Sequence, residues 1–336
     1  MGGGGTHYDR DTTDIRRRTH VGTTTDSEAF FRGQTRADES LLPKNRHFRC
    51  EAKSPVVLAF DVTGSMGNLP KIIWDKMPMI AGQIAERNYL TDPMFSVAAI
   101  GDFDGDSGPI QISNFVRPQE LDAWLKKIWL EKGGGGSYQE SYEVTAYAYT
   151  LADLPNAEEP FCIITGDEGF RETEFLGAGF LKNVFGNEHQ KMNATAVFQQ
   201  LLEKFKGNVF LVHRRYQSSE DSEIVRQWQS ALGEHRVVLL PEDLAVADII
   251  LGIFALMTGS RTLEEYATDM RNREQTEERI REVTKSLEVI LPLVPDKKKA
   301  AAAPASAPAD KPRKKARVKK PKASAPESPD DDDWKL

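Results

Sequence analysis

The sequence predicts an α/β protein: a doubly wound, mostly parallel six-stranded sheet with one antiparallel edge strand, then a C-terminal helix and a disordered tail. Three observations lead there. Short apolar runs alternate with helical patterns from residue 54 to residue 258, the signature of strand–helix–strand units. The apolar runs are continuous rather than alternating, which suits strands covered on both faces. One connection, between residues 101 and 109, is too short for a crossover helix, so the strand after it returns antiparallel.

The elements follow in order. Residues 1–53 lack sustained periodicity and read as an extended, partly disordered arm, anchored only by Ala29-Phe30-Phe31 and Leu41-Leu42. Ser54 to Val62 is the first strand. Gly67 to Tyr89 is a helix with Leu69, Ile73, Met77, Ile80 and Ile84 on one face. Pro70 suits its first turn, and Pro78 should kink it. Pro93 to Gly101 is the second strand, and Pro109 to Phe115 the antiparallel edge strand. Pro118 to Leu130 is a short helix. A glycine run, Gly133 to Gly136, then precedes a helix from about Glu140 to Leu151. Glu158 to Ile164 is a strand that ends in Thr165-Gly166-Asp167-Glu168-Gly169. Phe170 to Lys191 reads as a loop. Helix 194–205, strand 208–213, helix 222–232, strand 236–240 and an apolar helix 243–257 complete the domain, 54–258. Residues 259–292 form a charged amphipathic helical extension, either a hairpin on the domain or a projecting helix. Residues 293–336, rich in Lys, Ala and Pro with an acidic end, cannot bury a core.

Composition narrows the function classes. The net charge of −7 is mildly acidic, and because the last forty or so residues are Lys/Arg-rich, the domain is more acidic than the total. Two cysteines, Cys50 and Cys162, are too few for a disulfide framework or a Cys-based zinc site and fit a reducing, cytoplasmic setting. The longest apolar run, Ile249 to Met257, falls far short of the roughly 20 residues a membrane span needs. The start, Met1-Gly2-Gly3-Gly4-Gly5-Thr6, fits a myristoylation pattern formally, but a flexible Gly-rich end is the simpler reading.

One stretch organises the rest: Val56-Val57-Leu58-Ala59-Phe60-Asp61-Val62-Thr63-Gly64-Ser65-Met66. An apolar strand stops at an aspartate, and two hydroxyl residues follow at alternate positions. Such a strand end presents Asp61, Thr63 and Ser65 together, an oxygen set that suits a hard cation such as Mg²⁺ or Mn²⁺. A plain strand-to-helix turn with a hydroxyl N-cap fits the same five residues. Ligands in open α/β sheets bind beyond the carboxyl ends of the strands, at the point where the strand order reverses. Asp167 ends a second buried strand, and the Gly133–Ser137 loop should face the same edge, so Ser137 and Asp167 are expected to join the set. Asp102, Asp104 and Asp106 are candidates for a second cation, although an Asp/Gly turn between paired strands accounts for them more simply.

Residues 54–258 resemble a von Willebrand factor A (vWA) domain, a Rossmann-like fold. The resemblance rests on Phe60-Asp61-Val62-Thr63-Gly64-Ser65-Met66, on Gly134-Gly135-Gly136-Ser137-Tyr138-Gln139-Glu140-Ser141, and on Ile164-Thr165-Gly166-Asp167-Glu168. The first is similar to the D-x-S-x-S of the family's metal-ion-dependent adhesion site, with Thr63 in place of the first Ser. The second carries Ser137 where the family has Thr or Asp, and its Glu140-Ser141 matches the P-E-S of bacterial variants with Gln139 for Pro; either Ser137 or Glu140 approaches the metal. The third supplies Asp167, which in the family usually acts through water. The pattern is similar to bacterial and phage-encoded vWA proteins. It implies a non-enzymatic adaptor: a Mg²⁺ or Mn²⁺ ion held by side chains that leave it positively charged, completed by an Asp or Glu carboxylate of a protein partner, in an assembly that resemblance extends to an AAA+ ATPase. Two other readings stand beside it, a metal-dependent phosphoester hydrolase using the same aspartates and a nucleic-acid-associated protein acting through the basic tail. A strand-end phosphatase would want Asp where Thr63 stands, no phosphate-cradling G-x-x-x-x-G-K-[ST] loop exists, and the six histidines form no H-E-x-x-H. His213 at a strand end reads as structural.

Overall fold

β1 (Ser54–Asp61) lies at the centre of a six-stranded sheet, and all eight of its residues are buried. The computed structural model describes residues 35–131, 133, 138–216 and 219–295. The glycine-rich start, Arg16-Arg17-Arg18, Ser137 and the tail from 296 on lie outside these residues. β1 is flanked on one side by β2 (Pro93–Ile100) and the antiparallel edge strand β3 (Ile110–Ile112). On the other side lie β5 (Phe161–Gly166), β7 (Val209–Arg214) and β8 (Val237–Leu240). Every pairing except β2–β3 is parallel. Two further strands of two residues each, β4 (Gln139–Glu140) and β6 (Gly169–Phe170), pair in parallel as a separate ladder.

The alternation of side chains along β1 builds two cores. Val56, Leu58 and Phe60 face one layer of helices: α1 (Leu69–Arg87), α2 (Leu121–Leu125), α7 (Val246–Met257), α8 (Leu263–Asn272) and α9 (Glu277–Leu287). Val57 and Ala59 face the other: α3 (Tyr142–Thr150), α4 (Ala178–Phe185), α5 (Ala194–Lys204) and α6 (Asp221–Leu232). Helices on both faces are why these strands carry no polar alternation.

Several elements differ from the sequence expectation. A 3-10 turn, Gly64–Met66, precedes α1, which then runs through Pro78 to Arg87. Asn88 ends it in a left-handed conformation and donates its N–H to the Ile84 carbonyl. The helix expected over 118–130 is a 3-10 turn, Pro118–Glu120, followed by the short α2. The expected loop 170–191 contains α4. Of the two forms expected for the C-terminal extension, it takes the hairpin, as two helices. Glu274 adopts φ 61°, and Thr276 caps α9 by accepting from the Arg279 N–H, so the chain turns between them. Tyr266, Met270, Ile280, Val283 and Leu287 from this pair share the core with α7. Gly252 of α7 makes the close approach possible: a Cβ there would meet Leu287 Cδ1 at 2.3 Å. The pair is therefore a hairpin packed on the domain. Of the N-terminal arm, Leu41, Phe48, Cys50 and Ala52 are buried, and the Cys50 N–H donates to the Asp153 carbonyl. No helix among the described residues is long and apolar enough to cross a membrane.

Candidate metal centre at the strand-order reversal

The chain passes from β1 to β2 on one side of the sheet and places β5 on the other, so the order reverses between β1 and β5. In open α/β sheets the loops leaving two such strands diverge, and ligands bind beyond their carboxyl ends. Asp61 is the last residue of β1, and Asp167 follows Gly166, the last of β5.

A continuous hydrogen-bonded chain joins them. Thr63 donates to Asp61 Oδ1 twice, from its backbone N–H at 2.8 Å and from its hydroxyl at 2.5 Å. The Thr63 and Ser65 hydroxyls are 3.1 Å apart. The Ser65 hydroxyl donates to Asp167 Oδ1 at 3.0 Å. Alternate spacing on a tight turn puts both hydroxyls on the same side, which is why one strand end delivers three donor groups. The Gly64 N–H donates to the Gly133 carbonyl at 2.8 Å, so the glycine run reaches this loop from its first residue.

Three side chains not foreseen from sequence enter the same region. Tyr142, in the first turn of α3, donates its hydroxyl to Asp61 Oδ2 at 2.5 Å. It gets there because residue 166 is glycine: a Cβ on Gly166 would sit 2.0 Å from the Tyr142 hydroxyl. Glu168 hydrogen-bonds Glu140 and Ser65, and both glutamates are almost wholly buried. Arg214, at the end of β7, donates from Nη1 to the Ser65 carbonyl at 3.1 Å and to Asp167 Oδ2 at 3.3 Å. Its Nε donates to Asp243 Oδ1 at 3.0 Å. Adjacency to Asp167 was the available signal for Glu168. The end of a strand on the same sheet edge was the signal for Arg214. Nothing in the sequence marks Tyr142.

The electrostatics are those of a region with too much negative charge. Burial, followed by the charge of Asp167, pushes Asp61 up to about 8. Burial raises Asp167 against the opposing pull of Ser65 and Arg214. Burial takes Glu168 up to about 7, and burial with the Asp61 charge takes Glu140 up to about 11. Glu140 Oε2 and Glu168 Oε2 are buried without a hydrogen-bond partner. Crowded carboxyls with orphaned oxygens resist ionisation unless a cation compensates them. Asp61, Thr63, Ser65 and Asp167 fit a hard cation by donor chemistry, two carboxylates and two hydroxyls. Among the described residues no group of three or more His, Cys, Asp or Glu side chains is arranged to hold a metal.

The three aspartates considered for a second cation do not gather. Asp102 is buried on Arg171, with Nη1 at 2.7 Å and Nη2 at 2.8 Å. Asp106 Oδ2 turns back to accept from the Asp102 N–H at 2.8 Å, and Asp104 is exposed. They form an acidic turn whose buried member is neutralised by an arginine. His213 is buried, with Nε2 2.9 Å from Asp221 Oδ1.

No protein-family model matches the chain, and no curated protein does either. Among solved structures, the chain is similar to proximal thread matrix protein 1 from the mussel byssus at 8% identity, covering 63% of this chain and 49% of that one, with a TM-score of 0.40. It is similar to the pilus adhesin SpaC from Lactobacillus rhamnosus GG, in its open conformation, at 10% identity, covering 62% and 31%, with a TM-score of 0.42. It is similar to a variant of the PilB minor pilin from Streptococcus sanguinis at 12% identity, covering 62% of each, with a TM-score of 0.41. The chain thus spans from 31% to 62% of the length of these three proteins, and the likeness assigns no activity.

Proposed function

We propose that this protein is a Mg²⁺- or Mn²⁺-dependent protein-binding module whose partner presents an Asp or Glu carboxylate. The observation that carries the reading is the hydrogen-bonded chain Asp61–Thr63–Ser65–Asp167 across the strand-order reversal. The resemblance of the three motif stretches to vWA domains supports it, and that resemblance alone suggests an adaptor role beside an AAA+ ATPase.

The residues divide the work. Asp61 and Asp167 supply negative charge from two strands, which fixes the centre to the rigid sheet rather than to a loop. Thr63 and Ser65 supply neutral oxygens. Tyr142 fixes the outer oxygen of Asp61, so the carboxylate keeps one orientation. With Asp61 the one carboxylate touching the ion and Asp167 acting through water, as the vWA resemblance implies, a divalent ion held by this set would keep positive charge and a position open to an incoming carboxylate. Recognition of that carboxylate requires no bond to be made or broken.

The test is calorimetric titration of Mn²⁺ into wild type and Asp61→Ala, with melting temperature followed in parallel. Wild type should bind and gain stability by mass action, about 2.7 kcal/mol at a hundredfold excess over Kd. Asp61→Ala should show neither effect. An equal response from both proteins would overturn the centre.

A further inference from the structure

We infer that Arg214 is a resident counter-charge that competes with the divalent cation for Asp167 and so sets how readily the centre fills. This rests on the metal-binding reading above and adds a residue that the motif resemblance does not assign. Arg214 comes from β7, a strand outside all three motif stretches. Its guanidinium holds three chain segments at once: the Ser65 carbonyl after β1, Asp167 after β5, and Asp243 ahead of α7.

The three holds are unequal. The bond to Asp243 is 3.0 Å and the bond to the Ser65 carbonyl 3.1 Å, whereas the contact with Asp167 is 3.3 Å. A charge-assisted bond between guanidinium and carboxylate normally closes to about 2.7–2.9 Å. Of its two carboxylate partners, Arg214 holds Asp167 less closely than Asp243. The Arg214 side chain is 26% exposed and Asp243 33%, so solvent reaches the side from which the guanidinium is anchored. The contact with Asp167 is made by Nη1, which also bonds the Ser65 carbonyl, while Nε bonds Asp243.

The competition follows from charge. A guanidinium touching one carboxylate of the set repels a divalent ion bound by the same carboxylate. In the absence of metal it does the reverse, compensating Asp167 among the buried carboxyls. Removing the charge should strengthen metal binding and weaken the metal-free protein, a pair of effects with opposite sign. A merely structural arginine would give only the second.

The experiment titrates Mn²⁺ into wild type, Arg214→Ala and Arg214→Gln, and records melting temperatures in EDTA and in excess Mn²⁺. Arg214→Gln removes the charge while keeping an amide donor for the Ser65 carbonyl, which guards against misfolding of the alanine variant. Both variants should bind Mn²⁺ at least about tenfold more tightly than wild type. Both should melt below wild type in EDTA, and Mn²⁺ should close or reverse that gap. Wild-type binding with unchanged or weaker binding in the folded variants would overturn the competition and leave the metal centre standing. Absence of Mn²⁺ binding in all three proteins would overturn both.

Discussion

Asp248 and Asp269, where the C-terminal hairpin meets the domain, each lie against arginine, whereas Asp61, Glu140, Asp167 and Glu168 crowd one another at the carboxyl ends of β1 and β5. Asp248 Oδ1 accepts from Arg273 Nη2 at 2.8 Å, and the Arg273 guanidinium stands 5.5 Å from the Tyr266 ring centre. Asp269 accepts from Arg261 Nε at 2.8 Å, from the Tyr89 hydroxyl at 2.7 Å and from Arg87 Nη1 at 3.3 Å. Both regions bury acidic groups. In the hairpin each buried aspartate lies against at least one arginine, Asp248 on Arg273 and Asp269 on Arg261 and Arg87, and these contacts tie α8 to α1 and α7. At the sheet edge Arg214 is the arginine that touches Asp167 among the described residues, and Glu140 and Glu168 each keep an oxygen without a hydrogen-bond partner. Matched buried charge specifies how two parts of a chain dock. Unmatched buried carboxyls hold their protons instead, as the raised values of Asp61 and Glu140 show.

The largest effect should come from breaking a matched pair. Arg273→Ala takes from buried Asp248 the arginine it hydrogen-bonds, leaving the Lys76 charge nearby, and removing one partner of a buried ion pair costs about 3–5 kcal/mol. Urea denaturation should show that loss. The double variant Asp248→Leu, Arg273→Met should recover most of it, because apolar side chains of similar volume commonly replace such a pair without penalty. A single-variant loss below about 1 kcal/mol would show that the hairpin does not depend on the pair.

A smaller effect, of opposite sign, is expected where charge is unmatched. Glu143 is fully buried in the first turn of α3. Its Oε2 accepts from the Arg171 N–H at 3.2 Å, and its Oε1 has no partner. Burial pushes its carboxyl up to about 8, against hydrogen bonds and the Arg171 charge that pull it down. The folded pKa lies above the unfolded value, so the protein gains by holding this proton. That gain is complete below about pH 4.5 and is lost as pH rises through about 8. Glu143→Gln carries no such charge at any pH. Its stability relative to wild type should therefore rise between pH 6 and pH 9, by roughly 1–3 kcal/mol in paired denaturation curves. A difference that stays flat with pH would mean that Glu143 ionises without cost.

The contrast between the regions also divides what the sequence could tell. The six strands were legible because burial on both faces leaves continuous apolar runs, as in Val56 to Phe60 and Phe161 to Ile164. Asp61, Thr63, Ser65 and Asp167 were legible because strand ends flanking an order reversal share an edge. The two-residue ladder of β4 and β6 was not, since two residues cannot show a period. The hairpin was one of two readings of the polar gap between the stripes Leu263–Met270 and Ile280–Ile290, and the left-handed backbone at Glu274 decides for it. Arg214, Tyr142 and the pairing of Asp102 with Arg171 depend on which loops face each other across the finished sheet. No local pattern encodes contacts such as Arg171 to Asp102, which are 69 residues apart.

The smallest effect sharpens the distinction between burial and pairing. Arg271 and Glu277 also join α8 to α9, by two parallel bonds of 2.8 Å and 3.1 Å. The geometry is as good as that of Arg273 with Asp248, yet these side chains are 49% and 71% exposed. Proximity to Glu277 raises the Arg271 pKa, but water screens both charges and solvates either one when its partner is gone. Arg271→Ala should therefore leave the melting temperature within experimental error, while Arg273→Ala, two residues on, lowers it sharply. If the two substitutions cost the same, the hairpin is held by ion pairing as such. If only the buried one matters, the hairpin depends on charge that has lost its water, which is the property the sheet edge shares and leaves uncompensated.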